Sequence, residues 1–346
     1  MALEVDIEKR VGDFHLRAAF SGGAGILGIL GASGCGKSMT LKCVAGIERP
    51  DKGRIALDGR VLFDSDRRID LTPQKRRVGY LFQNYALFPG MTVRQNILCG
   101  LHAEKDRAAA AAKAEAMMAL LRIGHLADLR PRALSGGQSQ LAALGRILVN
   151  EPELLMMDEP FSALDAHLRL RLQMELKNLL KDFGRGVIMV THDRDEAFRM
   201  CDQIGVMDAG RMLAVKPTRE LFADPGTVAA ARITGCKNIA DARRTGDHEV
   251  FVPAWNVTLT AAKPVGEDLQ AVGIRAHDFR PEIAENRFPV RIAREMEEPF
   301  AWVSEFRYPR QAGDAPPLWW RYSRESRPAE PPEALGVAAK DVLLLY

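Results

Sequence analysis

Gly31-Ala32-Ser33-Gly34-Cys35-Gly36-Lys37-Ser38 decides how this chain folds. It has the pattern Gly-x-x-x-x-Gly-Lys-Ser. The run before it, Gly25-Ile26-Leu27-Gly28-Ile29-Leu30, is short, apolar and bounded by glycine, which suits a buried strand. A helix is predicted from Lys37 to about Ala45, with Gly46 as its stop. Between strand and helix, Gly34 and Gly36 let backbone N–H groups turn inward around phosphate oxygens, and the helix N-terminus adds its partial positive charge. Lys37 is expected to reach the β- and γ-phosphates, and Ser38 to ligate Mg²⁺. Gly31 to Ser38, with Met39 after them, form the expected nucleotide-binding segment.

Two further segments extend that reading. Leu154-Leu155-Met156-Met157 is an apolar strand ending at Asp158-Glu159. An acid at a strand end is where P-loop proteins hold Mg²⁺. On a β pleat Glu159 points the other way from Asp158, so one carboxylate can hold the metal while the other orients or deprotonates a water. Ser135-Gly136-Gly137 precedes a helix starting near Gln138, and its small residues expose N–H groups at a helix N-terminus, a second expected anion site. Gly137 falls 21 residues before Asp158.

Composition bounds the rest. The 346 residues are about right for two domains. Apolar residues make up 47% and charged residues 27%, as in a globular protein. Lys plus Arg is 48 against 45 acidic residues, a net charge of +3, which gives no support for general nucleic-acid binding. No apolar run approaches the roughly 18–20 residues that cross a bilayer. The start of the chain, Met1 to Asp6, lacks a signal-peptide core, so a place in the cytosol is expected. Cys35, Cys43, Cys99, Cys201 and Cys236 are odd in number and widely spaced, against a disulfide framework. Cys35 alone lies where chemistry could matter. The inward N–H groups and Lys37 favour its thiolate.

Arg54 to Phe63 reads as a hairpin turning at Asp58-Gly59. Val78 to Phe82 reads as a strand, and residues 104–122, without Pro or Gly, read as a helix. Alternating strands and helices imply a layered α/β core. After Gly235 the texture changes to short β-prone runs such as Val250-Phe251-Val252, punctuated by proline.

In this order and spacing the phosphate loop, Leu134-Ser135-Gly136-Gly137-Gln138 and Leu154 to Pro160 resemble the ATP-binding subunit of an ABC transporter. The resemblance covers roughly residues 1–235 strongly and the rest weakly. It implies an α/β P-loop NTPase cassette over residues 1–235, with a helical subdomain at about 84–150. A small β accessory domain of OB/MOP type is implied over 236–346. It makes Glu159 the general base, His192 the switch histidine that contacts the γ-phosphate, and Gln83 the loop glutamine that senses that phosphate and serves the metal beside Ser38 and Asp158. Ser162-Ala163-Leu164-Asp165 matches a dimer-interface loop. Ser135, Gly136, Gly137 and Gln138 match the signature that closes on ATP held by a second copy, so a homodimer is implied. His192 lies 34 residues after Asp158, the family spacing. Phe14 is a candidate for stacking on adenine, with a core role on its strand equally open.

The chain departs from the family at Ser139 and Leu141, where a basic residue and an arginine are usual. Leu141 removes a guanidinium and a local ion pair. Residues 49–82 look like molybdate-importer ATPases, with sulfate importers close. Gly273 to Asp278 resembles the Gly-Ile-Arg-Pro-Glu-Asp segment of importer accessory domains, from which Ala276 and His277 depart. The resemblance implies ATP and Mg²⁺ as cofactors. Its partners would be transmembrane permease subunits and a separate solute-binding protein, at the cytoplasmic face of the membrane, with no nucleic acid. A helix of the membrane subunit would enter a groove near Gln83 and Leu87–Val93. The competing reading is a soluble ABC-type mechanical ATPase acting on DNA or ribosomes. The single cassette and the lack of a long heptad run stand against it. An intact Glu159 and His192 stand against a non-hydrolysing sensor.

Overall fold

The computed structural model describes residues 2–162, 164 and 166–346. They divide into two compact units, Met1–Thr218 and Arg219–Tyr346. Alternation of apolar and charged residues builds the first strand. In β1 (Leu3–Val11) the side chains of Leu3, Val5 and Ile7 are buried and those of Glu4 and Asp6 face out. It pairs antiparallel with β2 (Phe14–Gly22). Then come β3 (Gly25–Leu30), α1 (Lys37–Ala45), β4 (Lys52–Leu57), β5 (Arg60–Asp64), β6 (Ile69–Asp70), the short α2 (Pro73–Arg76) and β7 (Val78–Leu81). β4 and β5 turn where predicted, with Asp58 and Gly59 both at positive φ, 49° and 78°.

Three helices follow: α3 (Val93–Cys99), α4 (Arg107–Leu120) and α5 (Gly136–Leu148). They bury a small core of their own around Val93, Ile97, Ala114, Met118 and Ala142. Leu141 packs against it, so the position that lacks a guanidinium serves here as an apolar filler. β8 (Leu154–Asp158), α6 (Ala166–Phe183), β9 (Gly186–Thr191), α7 (Arg194–Met200), β10 (Gln203–Asp208) and β11 (Arg211–Pro217) complete the unit.

One eleven-stranded sheet runs in the order β6-β5-β4-β1-β2-β11-β10-β3-β9-β8-β7. Its β10-β3-β9-β8-β7 part is parallel, as strands joined by helical crossovers must be. Every residue of β8 and β9 is buried, which is why both read as continuous apolar runs. Each such Leu or Ile contributes about 1.5–3 kcal/mol of burial free energy. The loop that decides the fold leaves the C-terminal end of β3, between β10 and β9 in this parallel part, and open α/β sheets bind ligands at such strand ends.

The second unit holds α8 (Thr218–Ala223), which begins on the last residue of the first unit, and α9 (Val228–Ile233). Eleven short strands follow: β12 (Asn238–Asp241), β13 (Arg243–Arg244), β14 (Glu249–Val252), β15 (Val257–Thr260), β16 (Ala271–Ile274), β17 (Phe288–Pro289), β18 (Arg291–Glu297), β19 (Ala301–Arg307), β20 (Leu318–Ser323), β21 (Ala334–Leu335) and β22 (Leu343–Leu345). They form small antiparallel sheets around Val250, Trp255, Phe279, Phe306, Trp320 and Leu344.

A boundary at 235/236 follows from the change of texture there, but the chain divides at 218/219. The reason is visible in the bonds. Arg275 donates to the carbonyls of Thr234 and Phe222, and the amide of Tyr346 donates to Gly226, so residues 219–235 pack with the β-rich unit.

Candidate phosphate-binding site

A cleft of about 810 Å³ opens over the N-terminus of α1. Ser33, Gly34, Gly36, Lys37, Ser38 and Met39 all line it. The loop conformation depends on glycine at particular points. Gly36 precedes α1 at φ 108°, a region closed to most side chains. A Cβ on Gly31 would lie 2.2 Å from the Met207 carbonyl oxygen and 2.6 Å from Cys35 Sγ. Lys37 is only 4% exposed, and its Nζ donates to the carbonyls of Gly31 and Ala32, each at 2.9 Å. Gly31, Ala32 and Cys35 therefore do not line the cleft. The first two hold the lysine, and Cys35 is packed beneath. Burial pushes the Cys35 thiol above the ordinary thiol range, with Lys37 only partly opposing it. The thiolate expected there is thus not favoured: desolvation outweighs the nearby amides and lysine.

Ser38 donates from Oγ to Asp158 Oδ1 at 2.7 Å, and Tyr80 donates to Asp158 Oδ2 at 2.9 Å. Burial, followed by the Asp158 charge, pushes the Tyr80 phenol far up, so it stays a donor. A serine hydroxyl and a carboxylate side by side are hard oxygen ligands that fit Mg²⁺. Among the described residues no cluster of three His, Cys, Asp or Glu side chains forms a metal site by itself. A cation here would thus share its remaining ligands with phosphate and water. Gln83 lines the same cleft, and its Nε2 donates to Ser162 Oγ at 3.3 Å.

Glu159 departs from the pleat argument. β8 stops at Asp158, and Glu159 sits at φ 46°, the left-handed region rare for a non-glycine residue. That turn, rather than strand alternation, separates the two carboxylates. Glu159 Oε1 lies 3.1 Å from His192 Nδ1 and 3.9 Å from Lys37 Nζ. Side chains from the start of α1 and from the turns after β8 and β9 therefore meet at one point. His192 is half exposed, on the turn after β9.

Phe14 lines the cleft and also packs on the core, with its ring edge 3.1 Å from where a Cβ on Gly36 would be. The two readings of this residue are compatible. The sequence reasoning missed Lys9, Val11, Lys42 and Glu48, which share the cleft. Two signals were present. Val11 pairs with Phe14 across the β1–β2 hairpin, and Lys42 follows Ser38 by four residues on one helix face.

Ser135, Gly136, Gly137 and Gln138 do not line the cleft of their own chain. Ser135 caps α5: Gln138 N donates to Ser135 Oγ at 3.3 Å, and Ser135 N donates to Gln138 Oε1 at 2.9 Å. Asp165 lies outside the described residues, as does Ala163.

A second groove, of about 580 Å³, is lined by Tyr80, Phe82, Phe88, Met91, Cys99 and Arg146 among others. Arg146 stacks over Phe88 at 5.3 Å and donates to the carbonyls of Tyr85 and Ala86. No described helix is long and apolar enough to cross a membrane.

The family described as ABC transporter matches residues 21–162. The chain is similar to the molybdate/tungstate import ATP-binding protein of Thermococcus kodakarensis, 42% identical over 250 residues that cover 71% of this chain and 74% of that protein. It is also similar to the spermidine/putrescine import ATP-binding protein of Oleidesulfovibrio alaskensis, 39% identical over 251 residues, 71% of this chain and 62% of that protein. The chain spans about three fifths of the length of several curated relatives it matches. A solved dimer of an ATP-binding cassette in a post-hydrolysis state, bound to ADP and Pi, superposes with TM-score 0.53 and 25% identity over 63% of this chain and 99% of that one. The expected likeness to molybdate importers is thus shared with polyamine importers and singles out no one substrate.

Proposed function

The chain belongs to the ABC transporter family, and we propose that it is the ATP-hydrolysing, energy-coupling subunit of an import complex. The observation that carries this reading is the meeting of Glu159, His192 and Lys37 beside the Ser38–Asp158 pair, at the phosphate loop. The loop amides and Lys37 bind and orient the triphosphate. Ser38 and Asp158, with Gln83 beside them, would hold Mg²⁺, which neutralises charge on the β- and γ-phosphates. Glu159 takes a proton from the attacking water, and the 3.1 Å contact with His192 holds its carboxylate in place.

Gly136 and Gly137, held by the Ser135–Gln138 capping box, bring amide groups to a helix N-terminus away from their own cleft, which suits closure on ATP held by a second copy. The apolar groove at Phe82, Phe88 and Met91 suits a helix of a permease subunit, so that closure of the dimer moves that helix. On this reading the chain works at the cytoplasmic face of a membrane, with a solute-binding protein supplying cargo. The cargo we propose is molybdate or another tetrahedral oxyanion. The polyamine-importing relatives favour a second reading, spermidine or putrescine.

The Glu159→Gln variant tests the reaction. It should bind Mg-ATP as the wild type does, with phosphate release at least about a hundredfold lower. Undiminished release would overturn the assignment. A deletion strain in which uptake of polyamine is lost and uptake of molybdate is kept would decide for the second cargo.

A further inference from the structure

Beside the His192 turn lies a small space of about 50 Å³. Glu159, Ser162, Arg169, Thr191, His192 and Glu196 are among its walls. Two of these walls carry buried polar atoms with no partner among the described residues, Glu196 Oε1 and Arg169 Nε. Glu196 is only 4% exposed, so its carboxyl is cut off from bulk solvent. Buried polar atoms are almost always paired, and a polar space of this size accommodates an ordered water. A water that accepts from Arg169 Nε and donates to Glu196 Oε1 satisfies both.

The Glu196 carboxyl also bonds to the Thr191 hydroxyl. The same Thr191 oxygen accepts from the amide of Asp193 at 3.0 Å. Asp193 in turn caps α7, its Oδ1 accepting from the amides of Asp195 and Glu196 at 2.9 and 3.0 Å. These bonds enclose His192 between Thr191 and Asp193, and His192 meets Glu159 at 3.1 Å. Glu196 is thus the buried anchor of the turn that presents the histidine.

We propose that Glu196 is a positioning residue for His192 and Glu159, acting through Thr191 and a water in the space beside them, and that its ionised form is the one that holds the turn. The proposal rests on the reading of Glu159 and His192 given above. An ionised carboxylate accepts from Thr191 and from the water together. Protonation converts one acceptor oxygen into a donor and breaks that pattern. Burial lifts Glu196 to about 7, inside the working range of pH. The groups that face it are Arg169 on α6, Asp193 at the cap of α7, His192 after β9 and Glu159 after β8, with Cys201 beyond the end of α7. Asp193 disfavours its ionisation, and Arg169 and His192 favour it.

The test compares the full chain with Glu196→Gln and Thr191→Val. Phosphate release, nucleotide binding and melting are followed from about pH 5.5 to about pH 9. The wild type should lose turnover below about pH 7 as Glu196 protonates. Glu196→Gln should bind ATP normally, turn over roughly tenfold more slowly at high pH, and lose that acid limb. Thr191→Val, which removes only the hydroxyl, should show a similar loss. An infrared protonated-carboxyl band, present at low pH and absent from Glu196→Gln, is expected independently of activity. An unchanged acid limb in Glu196→Gln, or loss of turnover only in step with loss of folding, would overturn the inference alone. No phosphate release by the wild type at any pH would overturn the functional reading and this inference with it.

Discussion

Replacing Arg76 by alanine should loosen the helix that carries the phosphate loop. Arg76 is fully buried, although it lies in the short helix α2. Its Nη1 donates to the Cys43 and Val44 carbonyls at 2.8 and 2.9 Å, in the last turn of α1. Nε donates to the Leu71 carbonyl at 2.8 Å, and Nη2 to Asp70 Oδ1 at 3.1 Å. The guanidinium thus caps the negative end of α1 from outside the helix. In the alanine variant, Cys43 O keeps the amide of Gly46, which already donates to it. Val44 O and Leu71 O lose their donor. At about 1–3 kcal/mol for each unsatisfied buried carbonyl, the loss is about 4 kcal/mol. In a unit of this size that lowers the melting temperature by about 10 °C. Far-ultraviolet circular dichroism is the assay, because most helices lie in the first unit while all four tryptophans lie in the second. Arg76→Lys restores charge at one point but cannot reach all three carbonyls, and should recover roughly half of the loss. A loss below about 1 kcal/mol in Arg76→Ala would refute the cap.

Glu196 should also make stability depend on pH. Its folded-state value, about 7, lies above the ordinary carboxylate value of 4.5. The folded chain therefore holds a proton that the unfolded chain has released, and this favourable contribution is complete below about 4.5 and lost as pH rises through about 7. Relative to Glu196→Gln, the wild type should lose about 3 kcal/mol across that window, measured by urea unfolding at each pH. Parallel stability curves for the two proteins would contradict this. Cys35 should resist alkylation: site-resolved mass spectrometry should find maleimide addition in the native chain at least about tenfold slower than in the urea-unfolded chain. Rapid addition to the folded chain, blocked by ATP, would reinstate the thiolate.

Much of the first unit was legible because its signals are local. The run from Gly25 to Leu30, the helix from Lys37 to Ala45 and the stop at Gly46 appear where the residues predict them, since apolar runs, glycine and helix caps act within a few residues. The hairpin at Asp58-Gly59 was legible for the same reason. The border between the units was not. Composition changes after Gly235, whereas Arg275 reaches back to Thr234 and Phe222 over distances in sequence that no local pattern records. Glu159 lines the cleft, but strand alternation does not put it there, because a left-handed residue ends the strand before alternation can act.

What the sequence by itself determined is therefore the kind of site: a glycine loop that presents amides, a lysine, a serine and two acids at set spacings. Backbone sterics and residue chemistry are enough for that. What only the tertiary structure decided is which groups meet and in which state. Lys37 at the start of α1, Glu159 after β8 and His192 after β9 are brought together by the order β3-β9-β8. Cys35 carries the residues of a reactive thiol around it, yet burial beneath the loop outweighs them. Glu196 looks like any exposed acid in the first turn of a helix, until packing closes it off with Thr191 and Arg169. Desolvation is a property of the assembled interior, and no stretch of sequence carries it alone.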